Sequence, residues 1–588
     1  MNTGEVSSKA TVRDIFLSRK DELQAETKTR LLFWCLAMLL GGAQAWLARA
    51  RMSCDTISYL DMGNYLRHGH WSQIVNGLWN PLYAGLLGLT MALFRPSIYQ
   101  EYPLIHALLF FVFLFALASF EFFLRELILL RQEHESAQEL KTPVWVWLTI
   151  GYTVFLWSSL QLIGVGEENP DMIVAAFFFL ACGFLVRIRR GADGWSTYLD
   201  LGLILGLGYL TKSVMLPISF ICLGAAWLLG RSLRSGIPRV WATLLIFLAV
   251  AGPFIAALSI AKARFTFGET GRYNYAVHVN MVPPVHWQGE NKANGLPAHP
   301  TRKIFDRPAT FAFENPVGGT YPVWYDPSFW YEGIRLHFDP RVEVKTMWKN
   351  VRWEIELFFY LNGSFAAAWF LLFYVSGKNL HVLSDLRVFW FLLAPAIAAL
   401  LFYSLVHWEW RYVSPFVTVT IVCGFLSIRL PDATESRRLF AAVAVLLSIM
   451  LVCPFGPGSI RLKSGLFDFL DPSREDPNSD QEVAAEMQKI GLHPGDAVTS
   501  LWFSNLGMSE WAHLAGLRII GEVYYWPDRP ETLVNDFWQA DSLTQAKVIE
   551  ALKSTGARAV ISPEAPRGSA SAGWVRVGIT KYYVYWLR

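Results

Sequence analysis

The chain has 588 residues, 53% of them hydrophobic and 15% aromatic but only 17% charged, and its long apolar runs split by short charged stretches describe a polytopic α-helical membrane protein. The formal net charge is +3, and no segment concentrates Lys and Arg on one face, which excludes nucleic acid as a partner. The six cysteines, Cys35, Cys54, Cys182, Cys222, Cys423 and Cys453, lie in or beside apolar runs and supply no disulfide framework.

Residues 1–30 form a charged N-terminal segment, expected in the cytoplasm. The first apolar run, Leu31 to Ala50, lacks a small-residue cleavage signature and is read as a retained helix. Basic clusters follow at Arg19 to Arg30, Arg125 to Lys141, Arg187 to Arg190, Arg231 to Arg239, Lys378 to Arg387 and Arg429 to Arg438. All six fall on the cytoplasmic side only if the short apolar segment Pro81 to Phe94 does not cross and lies in the interface. The spans are then 31–50, 103–125, 143–163, 172–187, 198–211, 213–230, 240–261, 352–375, 388–406, 411–428 and 438–456, about eleven in all. An odd number puts the C-terminal domain on the extracytoplasmic side of a multi-pass protein of the bacterial inner-membrane type.

Outer regions 51–102, 164–171 and 262–350, with the turn from His407 to Arg411, therefore converge, and nearly every unusual polar residue lies on that side. Cytosolic nucleotide sugars and ATP do not reach that compartment, so group transfer there favours a donor carried by a membrane lipid. Region 262–350 carries the aromatic run Tyr321 to Tyr331, which suits stacking on sugar rings but suits an interfacial aromatic belt better. Its histidines, His278, His286 and His299, show no zinc-like spacing.

Residues 457–480 read as a Pro/Asp-rich linker and 481–588 as a soluble α/β domain. Helices are predicted at Glu482 to Ile490, Pro530 to Ala540 and Ser542 to Ser554, and strands at Ala497 to Phe503, Leu517 to Tyr525, Ala557 to Ser562 and Tyr582 to Leu587. The domain has no glycine-rich phosphate loop and no nucleophile elbow, so covering the site or recognising an acceptor suits it better than chemistry.

Ser53 or Asp55 can cap a helix running to about Arg67, on which Asp55, Tyr59, Met62 and Leu66 share a face. Asp61 is turned about 120° from Asp55, so the two acids need not pair. Capping is the structural alternative for Asp55, and a solvated or ion-paired face that for Asp61. Glu167, Glu168 and Asp171 crown a helix N-terminus, where the helix dipole alone favours acids. Lys212 interrupts an apolar stretch and either takes a partner or snorkels to the surface. Arg411 lies in His407-Trp-Glu-Trp-Arg-Tyr412, where Glu409 can neutralise it and His407 reads as a hydrogen-bonded interface residue.

In motif and layout, residues 30 to 430 resemble the GT-C superfamily of membrane glycosyltransferases, among them protein mannosyltransferases, lipid A aminoarabinose transferase and the oligosaccharyltransferases. Carrying the likeness are Asp55, Tyr59 and Gly63 after the first span, Pro81-Leu-Tyr83, Asn169-Pro-Asp171, Leu210-Thr-Lys212, and Arg411, Tyr412 and Pro415, in that order and on one side. The resemblance implies a GT-C-like helical bundle over 31–456 and transfer of a sugar from a polyprenyl-phosphate donor to an outer protein, lipid or glycan acceptor, in a single inverting displacement. Several relatives carry a second acid directly after the first, where Thr56 stands here; that departure argues against a paired-carboxylate metal site. A divalent cation, Mg or Mn, bridging Asp55, Asp171 and a donor phosphate stays open by the resemblance, although no tight cluster demands one.

A hydroxyl acceptor must lose a proton as it attacks, and Asp55 is the candidate general base. The leaving phosphate needs cations, which Lys212 and Arg411 would supply. Tyr59, Asp61, Glu168, Asp171, His407, Glu409 and Tyr412 complete the expected donor and acceptor site. A lipid or glycan transporter would thread polar residues through its spans and show internal repeats, neither of which appears apart from Lys212. A non-catalytic envelope-assembly protein would work through its tail and loops.

Overall fold

The computed structural model describes residues 12–133, 142–192, 194–230, 233–313, 316–376, 386–430, 433–452, 478–505, 507–525, 535–565 and 573–587. Where lipid replaces water every backbone polar group must be satisfied within the segment, so the apolar runs form helices. They are α1 (Val12–Ala48), α4 (Ile98–Glu133), α5 (Val144–Trp157), α6 (Asp171–Arg189), α7 (Trp195–Thr211), α8 (Met215–Leu229), α9 (Leu233–Ala261), α13 (Pro340–Val375), α14 (Trp390–Leu405), α15 (Trp410–Leu426) and α16 (Thr434–Val452). Each coincides with a predicted span, though α1, α4, α9 and α13 run well beyond it into polar sequence. Asp21–Ala48, Ile98–Glu133, Val144–Ile163, Asp171–Arg189 and Gly236–Ala261 are long and apolar enough to cross a membrane. The bundle core is aromatic: Phe120 stacks on Phe155 and meets Phe179 edge-on, each with ring centroids 5.1 Å apart.

Between the first two long helices run α2 (Cys54–Arg67) and α3 (Pro81–Phe94), each 14 residues long. They cross where Gly63 meets Gly88: a Cβ on either would lie 2.6 Å from a carbonyl oxygen of the other helix. Only glycine permits that approach. The N-cap of α2 is Ser53, whose side chain makes no capping bond, and Asp55 lies inside the first turn; capping by Asp55 is thereby corrected.

Region 262–350 folds into α10 (Thr270–His278), the hairpin β1 (Arg302–Phe305) and β2 (Thr310–Ala312), and two short turns, α11 (Pro322–Tyr325) and α12 (Pro327–Trp330). The hairpin does not stay with its loop. It joins a seven-stranded sheet of order β1-β2-β4-β3-β5-β7-β6, whose other strands come from the tail: β3 (Ala497–Ser500), β4 (Arg518–Val523), β5 (Ala559–Ser562), β6 (Val575–Arg576) and β7 (Tyr583–Trp586). The centre, β4-β3-β5, is parallel and buried, and its short apolar strands suit a layer covered on both faces. Helices α17 (Asp480–Lys489), α18 (Ser509–Leu514) and α19 (Ser542–Lys553) complete the unit. Ser479 accepts from the Glu482 amide at the start of α17, and Asp541 does so from that of Thr544 for α19, as caps should. The four predicted tail strands are present, and β6, β1 and β2 are additional. Residues 457–477 of the predicted linker, 530–534 of a predicted helix and Cys453 lie outside the described residues.

The sheet is pinned to the loop by a buried carboxylate. Glu522 on β4 accepts from Tyr321 Oη (2.7 Å) and the Ser504 amide (2.8 Å), and its Oε1 lies 2.7 Å from His286 Nε2. A second pin joins tail to bundle: His513 of α18 lies 3.1 Å from Asp61 of α2 and 2.9 Å from Glu101 of α4. Burial opposes the charge on His513, but the two carboxylates outweigh it and raise its pKa to about 10. A raised folded-state pKa gives stability that is complete below the unfolded value near 6.5 and fades as pH climbs toward 10. Hydrogen exchange across 509–514 should therefore quicken between pH 7 and 10 beyond its intrinsic base dependence, and His513→Gln should flatten that excess while exchanging faster throughout; a wild-type protection factor that does not fall with pH would remove the role given to this imidazolium.

Candidate active site

A cavity of about 280 Å³ opens where α2, α6, α7, α10 and α15 meet, and it gathers residues from seven separate stretches of chain. Asp55 and Tyr59 enter from one face of α2. Asn169, Pro170 and Asp171 enter from the turn before α6. That turn is set by a π-helical segment, Ser158–Ile163, which ends α5 at Gly164 (φ 85°); such insertions often mark functional sites. Lys212, in extended backbone just past the end of α7, and the stretch from His407 to Tyr412 close the ring.

The charges are interlocked. Lys212 Nζ donates to Asp171 Oδ1 at 2.6 Å and lies 3.6 Å above the Tyr412 ring. Arg411 Nε donates to Glu409 Oε2 at 2.7 Å, and the same guanidinium stands 3.7 Å from both Asp171 Oδ2 and Asp55 Oδ2. Lys212 is thus partnered within the site, and Arg411 serves three carboxylates where Glu409 alone was foreseen. Burial would raise the Glu409 carboxyl, but the His407 hydrogen bond and Arg411 together hold it down to about 2. For Asp55 burial wins: its pKa is raised, against the pull of Arg411 and of a 3.0 Å bond from Trp324 Nε1.

Trp324 was not singled out from sequence, and its setting corrects the reading of the 321–331 run as an interfacial belt. Tyr321, Val323, Tyr325, Trp330 and Tyr331 are buried, and the Trp324 carbonyl accepts from Ser58 Oγ and Trp79 Nε1, both at 3.2 Å. The run is a folded wall locked to α2. His407 lies 3.2 Å from Glu409 and stacks on His278, the rings 3.8 Å apart and nearly parallel. Burial and the neighbouring His407 lower His278 to about 4, which leaves it neutral at physiological pH. Asn80, Tyr273 and Asn274 complete the polar lining; none carried a sequence signal beyond lying in an outer region.

Two expected site residues lie elsewhere. Asp61 faces away from the cavity and accepts from the Thr320 amide (2.7 Å) and Thr320 Oγ1 (3.0 Å) as well as meeting His513. Glu168 is buried against His106 at 3.3 Å, and its carbonyl accepts from Thr56 Oγ1. As for a divalent ion, the oxygens of Asp55 and Asp171 that would ligate it already face Arg411 and Lys212, and among the described residues no three His, Cys, Asp or Glu side chains are placed to hold a metal ion. The residues present do not fit a metal.

No family model and no curated protein matches the sequence. Among solved structures, ArnT from Cupriavidus metallidurans bound to undecaprenyl phosphate aligns over 96% of this chain and 98% of its own, at 11% identity and a TM-score of 0.52. Apo ArnT aligns over the same shares at 12% identity and a TM-score of 0.49. The archaeal oligosaccharyltransferase AglB from Archaeoglobus fulgidus, in complex with an inhibitory peptide and a dolichol-phosphate, aligns over 90% of this chain and 69% of its own at 13% and 0.42. The likeness to undecaprenyl-phosphate-bound ArnT is one of fold: the chain is an integral membrane protein in which a bundle of apolar helices is followed by a C-terminal α/β domain.

Proposed function

We propose that this protein is a membrane glycosyltransferase that moves a sugar from a polyprenyl-phosphate donor to a hydroxyl acceptor on the extracytoplasmic side. The observation that carries the reading is the single cavity in which an acid with a raised pKa, Asp55, stands beside two fixed cations, Arg411 and Lys212. In the step proposed, the acceptor oxygen forms a bond to the anomeric carbon as the bond from that carbon to the phosphate oxygen breaks. The acceptor proton passes to Asp55, and the electron pair leaves with the polyprenyl phosphate. A carboxylate whose neutral form is favoured by burial suits the proton it receives. Arg411 and Lys212, already held by acids, would meet the charge gathering on the leaving phosphate without reorganising. Asp171 and Glu409 orient those cations. The undecaprenyl phosphate bound to ArnT, which shares the fold, supports the donor class.

The test is release of free polyprenyl phosphate from a panel of lipid-phosphate sugars by the purified full-length protein, with an envelope extract as acceptor source. Release from no donor, with none retained in native mass spectra, would sink the proposal.

The pH profile offers a second check. A general base works only when deprotonated, so the rate should fall as pH drops through the Asp55 pKa, at a pH above the ordinary aspartate value. Trp324→Phe removes a bond that lowers this pKa, so the acid limb should move to higher pH while the plateau changes much less. An unmoved limb would detach Asp55 from the base role.

A further inference from the structure

The Asp55 cavity has two unlike halves. One carries the charges, Asp55, Asp171, Lys212, Glu409 and Arg411; the other is neutral and is built by Trp79 and Asn80 at the entry to α3, by Thr270, Tyr273 and Asn274 of α10, and by Trp324. Trp79 and Tyr273 meet Trp324 edge-on, with ring centroids 6.2 and 6.4 Å apart. An aromatic wall with a few fixed polar groups is what a small-molecule subsite requires.

The partners those polar groups already have decide what they can offer a ligand. Trp324 Nε1 donates to Asp55 at 3.0 Å and Trp79 Nε1 to the Trp324 carbonyl at 3.2 Å. Tyr273 Oη donates to the Pro284 carbonyl and Thr270 Oγ1 to the Leu78 carbonyl, both at 2.8 Å. Asn80 is only 6% exposed, and its Nδ2 donates to the Tyr209 carbonyl at 2.8 Å. That bond fixes which end of the amide is which and leaves Oδ1, a group that can only accept, without a protein partner. Asn274, which makes no hydrogen bond among the described residues, is the one polar side chain of this half with both ends free. The neutral half thus meets a ligand chiefly with lone pairs and suits one that presents donors.

Position ties Asn80 to the leaving phosphate. The carbonyl that holds it belongs to the last turn of α7, just before Lys212, so a sugar joined to a phosphate on Lys212 comes within reach of Asn80. Charge narrows the sugar further. Three carboxyl groups line the cavity against two cations, and the phosphate is to use both cations, so a carboxylate on the sugar would face like charge with no counter-ion. Resting on the glycosyl transfer proposed above, we infer that Asn80 Oδ1 reads the transferred sugar by accepting from one of its hydroxyl groups, and that the site takes an uncharged, hydroxyl-bearing sugar and rejects a uronic acid.

The experiment is native mass spectrometry of the full-length protein in detergent, titrated with undecaprenyl phosphate and with its glucosyl, mannosyl and glucuronosyl derivatives. Wild type should hold at least one of the two hexosyl lipids about tenfold more tightly than bare undecaprenyl phosphate, the scale of a well-made hydrogen bond, and the glucuronosyl lipid no more tightly than the bare carrier. Asn80→Leu should cut the hexosyl-to-carrier ratio at least about fivefold. In wild type the preferred hexosyl lipid, and not the bare carrier, should slow hydrogen exchange at residues 79–84, a readout that needs no variant to fold. Carrier bound with no hexosyl preference, a glucuronosyl lipid held as tightly as the hexosyl ones, a ratio unchanged in Asn80→Leu, or protection that misses 79–84 would each overturn the inference while leaving the donor class intact. Failure of wild type to retain even undecaprenyl phosphate would overturn the donor class and this assignment with it.

Discussion

Asp55→Asn is expected to lower release of polyprenyl phosphate by about a hundred- to ten-thousandfold, the usual worth of a positioned general base. The amide is nearly isosteric and can still accept from Trp324 Nε1, so the wall formed by 321–331 should stay in place and the melting temperature should change little. What is lost is the proton acceptor, and with it one of the three carboxylates around Arg411. The effect belongs in kcat, with donor affinity held or slightly improved because one negative charge has left the cavity. Single-turnover release and donor binding measured on the same preparation separate the two. A variant that keeps more than a tenth of the wild-type rate would move the base to another group.

Arg411→Met should cost about a hundred- to thousandfold in the same assay, the scale found when one preorganised donor to a developing anion is removed. Its pH signature distinguishes it from a simple binding defect. Arg411 is the strongest influence lowering the Asp55 pKa, so its loss should carry the acid limb upward, in the same direction as Trp324→Phe and further. Arg411→Lys should recover little, because one ammonium cannot meet Glu409 and Asp171 as Nε does and at the same time face Asp55 as Nη2 does. Parallel assay of Lys212→Met tests whether the two cations act as a unit: losses that fail to add would say that they do.

Much of this site is legible in local sequence, and the remainder is not, for a definable reason. The helical period places Asp55 and Tyr59 on one face of α2 and turns Asp61 away, which the fold reproduces. Partners distant in sequence leave no periodic trace. Asp61 reads as a surface acid until His513 appears 452 residues later, and Trp324 reads as one aromatic among many until its indole meets Asp55 across 269 residues. Strands β1 and β2 are four and three residues long and have no pattern of their own; the strand that ties the hairpin into the sheet, β4, belongs to the tail. The long apolar runs needed no such partner, because their length alone dictates helices in lipid.

The shared sheet has a consequence for how the molecule is made. Strand β2 cannot complete its ladder, nor Tyr321 find its acceptor, until Glu522 has been synthesised. The acids and cations of the bundle are all encoded by residue 412, yet the segment bearing Trp324 waits for more than a hundred further residues before its backing exists. A chain halted short of β4 thus carries the charged groups and the Trp324 contacts to α2, but leaves β2 without its ladder and Tyr321 without its buried carboxylate.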